Sequence, residues 1–530
     1  MRVVPAAPPG VEGPPDRGPP RRAARPATRH PTRQTTTIAL TLKLLLRLLW
    51  TTALWLPALC WAQAEEVRRE QLPMSFTLGV ESVRLPQGEH MGLMGGTALF
   101  DIGSDFGLGP AVYGAVSGHR GGLFVGGVEL QRRWGLAPGL CLSTGLFAGG
   151  GGGAGAPVGG GLMLRPALTL LQDWGPFWQV GLSWSSVRFP SGQIASNQLG
   201  LTLAWRSDFV YYTGHGNTWA SAWSEPTGLG FDRMAATVSR YKLKDGSARN
   251  VGLAGARAER RTDVRGLTWG MEAAAAAQGH AAGYMEILGT AAWSVAPLGA
   301  TVPSWRLGLR GGLGAAGGGA VPTQGGLISK ATGTTEWEFA RGWTVGAEFG
   351  LVHGVRSPLR AEAAQVWVAT SLEPEGRGQA LSEPVRTEWV GALHHHTRVL
   401  RNAGIAQSLD TIGLELDRYV GEHVYLTGQA HSAFAGAAGA YSIGLVGAGV
   451  AATVGPRLRV GAEGLVGAAG GGGVSTAGGA IAQGMAWVGV NTSPLTQWRV
   501  AAGATRTRHA AGTSGLFELS WSHAFGMSGR

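Results

Sequence analysis

Three adjacent histidines, His394-His395-His396, are the residues of this 530-residue sequence best suited to ligand chemistry. On an extended chain His394 and His396 share a face and His395 points the other way, so at most two neighbours can chelate one ion. His431 or His423 could complete such a site. The plainer expectation is a set of wall or rim histidines, and neither metal nor cofactor is assigned. Sulfur is excluded from metal work, because Cys60 falls in an N-terminal apolar leader and Cys141 stands alone. No Gly-x-Ser-x-Gly occurs and no spacing suggests a Ser–His–Asp arrangement, so no catalytic residues are named and the expectation is no enzyme.

Glycine supplies the second constellation. Gly149–Gly161 reads GGGGGAGAPVGGG, and the run returns at Gly314–Gly326 and Gly467–Gly479. Each run leads into another alternating apolar segment rather than a helix, and no Gly-Lys-Ser/Thr is present, so a phosphate cradle is not available. Glycines placed in this way let backbones or a bulky plug approach closely, or let a sheet bend. A second motif precedes each run: Ser117-Gly-His-Arg-Gly-Gly-Leu-Phe, Gln278-Gly-His-Ala-Ala-Gly-Tyr-Met and Ala435-Gly-Ala-Ala-Gly-Ala-Tyr-Ser. The period of about 150–165 residues is too long for a solenoid unit and suits a set of strands. The order of motifs is kept, which reads as a triplicated unit.

The elements that carry these residues alternate with a period of two. In Trp178-Gln-Val-Gly-Leu-Ser-Trp184 every even position is large and apolar, and Leu199-Gly-Leu-Thr-Leu-Ala-Trp205 repeats the pattern. Successive side chains of a strand point to opposite faces, so one face is a Trp/Leu row and the other is small or polar. By this parity Glu129, Glu272, Glu348, Glu415 and Glu518, with Arg165, Arg206, Arg310, Arg459 and Arg499, stand on the polar face and are the candidate lining of a lumen. They either pair with one another or line a weakly ion-selective passage. Aromatic residues stand at segment ends, as a girdle at a membrane interface requires.

The charge of +11 is concentrated at the N-terminus. Residues 1–64 hold nine Lys/Arg against Glu12 and Asp16, leaving 35 basic and 31 acidic residues over the other 466, which gives no reason to expect a nucleic-acid partner. Residues 1–37 form a Pro/Arg-rich extension too poor in apolar residues to fold. Residues 38–64 then read as a secretory signal peptide. Lys43 and Arg47 precede an apolar core, and the small-x-small pair Ala62 and Ala64 sets cleavage before Glu65. Beyond residue 65 no apolar stretch is long enough for a membrane helix.

Gly515-Leu-Phe-Glu-Leu-Ser-Trp-Ser-His-Ala-Phe525 alternates and ends on an aromatic. It resembles the terminal strand of bacterial, Gram-negative outer-membrane β-barrels, and by architecture the resemblance covers residues 65–530. It implies an outer-membrane location, a lipid-bilayer environment and recognition of the Phe525-ending strand by the barrel-assembly machinery. The expectation is an all-β transmembrane antiparallel barrel of about 24 strands from three eight-stranded repeats, 74–210, 231–372 and 386–525. A single large ring is favoured, with three tandem eight-stranded barrels as the alternative. A ring of 24 strands would leave an aqueous lumen, so the expected role is a passive pore for small hydrophilic solutes. The alternatives are a structural or export component with an occupied lumen, and an enzyme on a barrel scaffold.

Overall fold

The alternating segments are β-strands in the computed structural model, which describes residues 68–103, 105–213, 227–244, 250–296, 305–340, 342–372, 382–476, 478–508 and 513–529. The N-terminal extension and the signal-peptide residues Ala62, Ala64 and Glu65 lie outside the described residues. The first set of strands is β1 (Arg69–Arg84), β2 (His90–Gly103), β3 (Phe106–Ser117), β4 (Phe124–Ala137), β5 (Leu140–Gly152), β6 (Met163–Trp174), β7 (Trp178–Arg188) and β8 (Ala195–Tyr212). The second is β9 (Arg233–Leu243), β10 (Asn250–Arg261), β11 (Leu267–Gln278), β12 (Met285–Val295), β13 (Trp305–Gly317), β14 (Leu327–Ala340), β15 (Trp343–Gly354) and β16 (Arg360–Ser371). The third is β17 (Ser382–Leu400), β18 (Ala406–Tyr419), β19 (Val424–Ala435), β20 (Ser442–Thr453), β21 (Leu458–Gly470), β22 (Ala480–Asn491), β23 (Thr496–Thr507) and β24 (Thr513–Gly529).

Each set closes on itself. β1 pairs with β8 from Arg69↔Tyr212 to Glu81↔Gly200. β16 pairs with β9 from Ala361↔Leu243 to Ser371↔Arg233. β17 pairs with β24 through Thr387↔Phe525 to His396↔Leu516. The single 24-stranded ring favoured from the sequence is therefore not formed, since β8 does not continue into β9 and β24 does not return to β1. A lone backbone pairing, Gly526↔Tyr212, joins the first sheet to the third.

Glycines on the polar face would by themselves leave an eight-stranded interior underfilled. Large inward side chains lie over those glycines instead. A Cβ on Gly95 would fall 2.3 Å from the Tyr113 ring, one on Gly346 would fall 2.2 Å from the Trp367 indole, and one on Gly461 would fall 2.4 Å from Trp487. The glycines make room for aromatics, which fill space that the missing side chains would have occupied.

Leu199 and Leu201 point outward with 63% and 64% of their surface exposed, while Gln179 and Ser183 face inward and are buried. Outward-facing Trp174, Phe177, Trp293, Trp337, Phe339 and Trp498 gather at the end of the strands that carries the β6–β7 and β14–β15 turns. The glycine runs lie at the other end, after β5, β13 and β21.

Those runs fold alike. Gly151 N donates to Gly161 O at 3.0 Å, Ala316 N to Gly326 O at 2.7 Å and Ala469 N to Gly479 O at 2.7 Å. Each run also receives the motif that precedes the run of another barrel. The loop after β3 meets the run after β13, where a Cβ on Gly317 would lie 2.4 Å from the Gly121 carbonyl carbon. The loop after β11 meets the run after β21, where a Cβ on Gly470 would lie 2.2 Å from Gly283 N. The loop after β19 meets the run after β5, where a Cβ on Gly152 would lie 2.4 Å from Gly439 O. The contacts run one to two, two to three and three to one, which is a closed ring of head-to-tail interfaces. Toward the other end, Phe100 and Phe209 of the first barrel pack on Trp389 and Phe525 of the third, and Trp205 meets Trp269 of the second.

Candidate functional site

The inward faces hold the polar residues, and in each barrel they form a connected network. In the first, Arg165 Nε and an Nη each lie 2.9 Å from a Glu81 oxygen, and Ser185 Oγ donates to Glu81 Oε2 at 2.6 Å. The Tyr113 hydroxyl donates to Glu129 Oε2 at 3.0 Å and accepts from Arg165 at 3.2 Å. The space left among Thr77, Thr97, Tyr113, Glu129 and Arg165 is about 40 Å³, above the roughly 10–15 Å³ that a single water needs.

The second barrel holds a denser set of ion pairs than the first. Arg257 reaches Glu272 and Glu348, each at 2.7 Å. Arg310 bridges Glu259 at 2.5 Å and Glu348 at 3.0 Å, and Lys330 Nζ sits 2.6 Å from Glu272. Glu286 accepts from the Tyr241 and Tyr284 hydroxyls at 2.7 and 2.8 Å. A cavity of about 220 Å³ opens among Arg233, Arg261, Arg306, Thr334 and Glu338 at the end opposite the glycine run.

In the third barrel Arg459 lies 2.8 Å from Glu388, and Arg499 pairs with Glu388 and, at 3.0 Å, with Asp417. Glu463 accepts from Tyr425 at 3.0 Å and Gln429 at 2.6 Å. Nearer the glycine end, His394, His396, His431, Glu415 and Glu518 are all buried.

Above each network the glycine-end loops contribute apolar side chains to a buried cluster. These are Leu85, Leu123, Val158, Phe189 and Ile194 in the first barrel, Ala281, Tyr284, Val321 and Leu359 in the second, and Ala438, Tyr441 and Val474 in the third. In the first barrel a polar clamp adds to this. Arg120 donates to Glu89 and, at 3.0 Å, to Ala154 O of the glycine run, and the guanidinium beside Glu89 holds that carboxyl below its ordinary range.

Nine of the ten lining residues named from sequence are buried inside the barrels, divided among three interiors rather than around one: Glu129 and Arg165; Glu272, Glu348 and Arg310; Glu415, Glu518, Arg459 and Arg499. Arg206 is the exception. It has the inward parity but stands beside the β6–β7 turn, where its backbone N–H donates to Phe177 O, and its side chain is exposed in a 2.7 Å pair with Asp173. The parity argument missed Arg257 and Lys330. Arg257 stands in Gly255-Ala-Arg-Ala-Glu259, where no large apolar neighbour marks which face is outward.

No protein-family model and no curated protein matches the sequence. Solved structures do align with it, and Pseudomonas outer-membrane proteins are among them. Pseudomonas aeruginosa OccK9 (OpdG) is 12% identical over 87% of this chain and 99% of its own, with a TM-score of 0.21. The BenF-like porin from Pseudomonas fluorescens Pf-5 is 10% identical over 87% and 99%, with a TM-score of 0.22. The P. aeruginosa siderophore receptor PirA is 10% identical over 86% and 80%, with a TM-score of 0.26. At TM-scores this low the likeness says nothing of how the strands close or of what passes through them.

Proposed function

We propose that the chain is an outer-membrane protein that crosses the bilayer as three eight-stranded barrels, built from a triplicated unit and exported by the signal peptide ending at Ala64. One observation carries this reading: rows of outward Leu and Trp alternate along the same strands with buried, mutually paired Arg and Glu. A soluble barrel would not leave side chains such as Leu199, Leu201 and Phe349 in water on most of its strands. A closed barrel in lipid needs them there, because it leaves no sheet edge unpaired and no polar group facing hydrocarbon.

Eight strands enclose an interior just wide enough for side chains to fill, and here ion pairs and an apolar cap occupy it. This favours a structural role in the membrane, with the lumina occupied by the protein itself. A second reading, a passive conduit for small hydrophilic solutes, draws on the cavity of about 220 Å³ in the second barrel. Phe525 is proposed as the signal to the assembly machinery. In the folded protein it is buried against Phe209 and Trp389, and β24 runs on to Gly529, so that recognition would precede closure of the third barrel. Planar-bilayer recording of the purified full-length protein tests the two roles. Silence at neutral pH is expected, and steady unitary steps would replace the structural reading with the conduit.

A further inference from the structure

We propose that the interior of the third barrel is a binding site for one divalent transition-metal ion of the zinc class, held by His394, His431 and Glu415. This goes beyond the membrane role above and does not depend on it. His394 is on β17, Glu415 on β18 and His431 on β19, and the register brings them together because Gly413 pairs with His431 and His394 with Thr411. His394 Nε2 lies 3.6 Å and His431 Nε2 3.5 Å from Glu415 Oε1, and one ligand atom from each residue falls within 4.8 Å of the others. Among the described residues no other group of His, Cys, Asp or Glu has this geometry. The separations are too long for good hydrogen bonds. They match the edge of a tetrahedron around zinc, which is about 3.3–3.4 Å for bonds of about 2.0–2.1 Å.

A second observation points to a missing partner. Glu415 Oε1 and both ring nitrogens of His431 are buried without a hydrogen-bond partner, although buried polar atoms are otherwise satisfied in folded proteins. Glu518 Oε2, 3.0 Å from His394 Nε2, stands as a fourth donor, and its other oxygen accepts from Ser520 Oγ at 2.5 Å. Two carboxylates and two neutral imidazoles would balance a dication. The site sits between the apolar cap, which includes Val399 and Leu409, and the Arg499–Asp417 layer, so it is shielded from water. Because Glu518 is on β24, a bound ion would tie β17, β18 and β19 across the seam that closes this barrel.

The test uses the full-length protein, refolded in detergent micelles and stripped with a chelator. One tightly bound Zn²⁺ per chain is expected by equilibrium dialysis, with an upward shift of the thermal midpoint, as any ligand of the folded state produces. Co²⁺ should give the visible d–d bands of a low-symmetry tetrahedral ion. His431→Ala and the near-isosteric Glu415→Gln should lose the bound equivalent and the bands, and His423→Ala, an exposed histidine, should keep both. Retention of heat-modifiable migration on gels identifies the variants that have folded. The proposal is overturned if the wild-type chain binds no stoichiometric Zn²⁺, or if folded Glu415→Gln binds it as tightly as wild type.

Discussion

Arg257 lies at the centre of the second barrel with its side chain fully shielded, touching Glu272 and Glu348 while its guanidinium faces the Trp367 ring. Removing one member of a buried ion pair leaves its partner uncompensated, at about 3–5 kcal/mol. Lys330 and Arg310 still serve the two carboxylates, so Arg257→Leu should fall at the low end of that range in equilibrium urea unfolding of the vesicle-inserted protein. The outward face obeys a different rule. Leu201→Arg should cost about 2–4 kcal/mol near the bilayer mid-plane, and a cost indistinguishable from zero would mean that Leu201 does not meet lipid. Leu201 could be assigned from sequence because Leu199, Leu203 and Trp205 mark its row. Arg257 could not, because a charge flanked by alanines carries no sign of its face. The histidines were visible as candidates, but Glu415 joins them only through the register of β17, β18 and β19, which no local pattern encodes.

At the scale of strands and loops, alternation fixed where strands occur and which side of each is apolar, since a period of two has one structural meaning. It could not fix which strand closes on which, because β8 offers the same pattern to β1 as to β9. The glycine runs contained the missing information in a form that period counting does not read. Their repeated partner motif marks the other half of each inter-barrel contact. Gly150 is the cleanest place to test this, since a Cβ there would lie 2.7 Å from Ser432 O and 2.8 Å from Ala433 O of the third barrel. Gly150→Val should speed amide hydrogen exchange in the loop at residues 436–440 while the strand amides of β5 and β19 stay protected. Unchanged loop exchange would show that the barrels do not touch there.

For the whole molecule, closure of each set of strands means that residues 65–215 contain the ladder partners of β1–β8, leaving out only the single pairings Gly526↔Tyr212 and Val210↔Gly228. Expressed alone and refolded in detergent, that fragment should give a heat-modifiable, protease-resistant species. Aggregation under conditions that fold the full chain would mean that β1–β8 pairing depends on its neighbours. The ring of contacts has a further consequence. Because barrel one receives barrel three in the way that barrel two receives barrel one, the assembly has no first member. A rearranged gene that begins with the second unit and ends with the first should encode the same assembly, provided the new junction is long enough. The three units also sit in fixed ratio and fixed order, so each is free to change its interior without waiting for the other two. A histidine cluster in one barrel, with no such cluster in the other two among the described residues, is the kind of divergence that an assembly of three identical chains could not record.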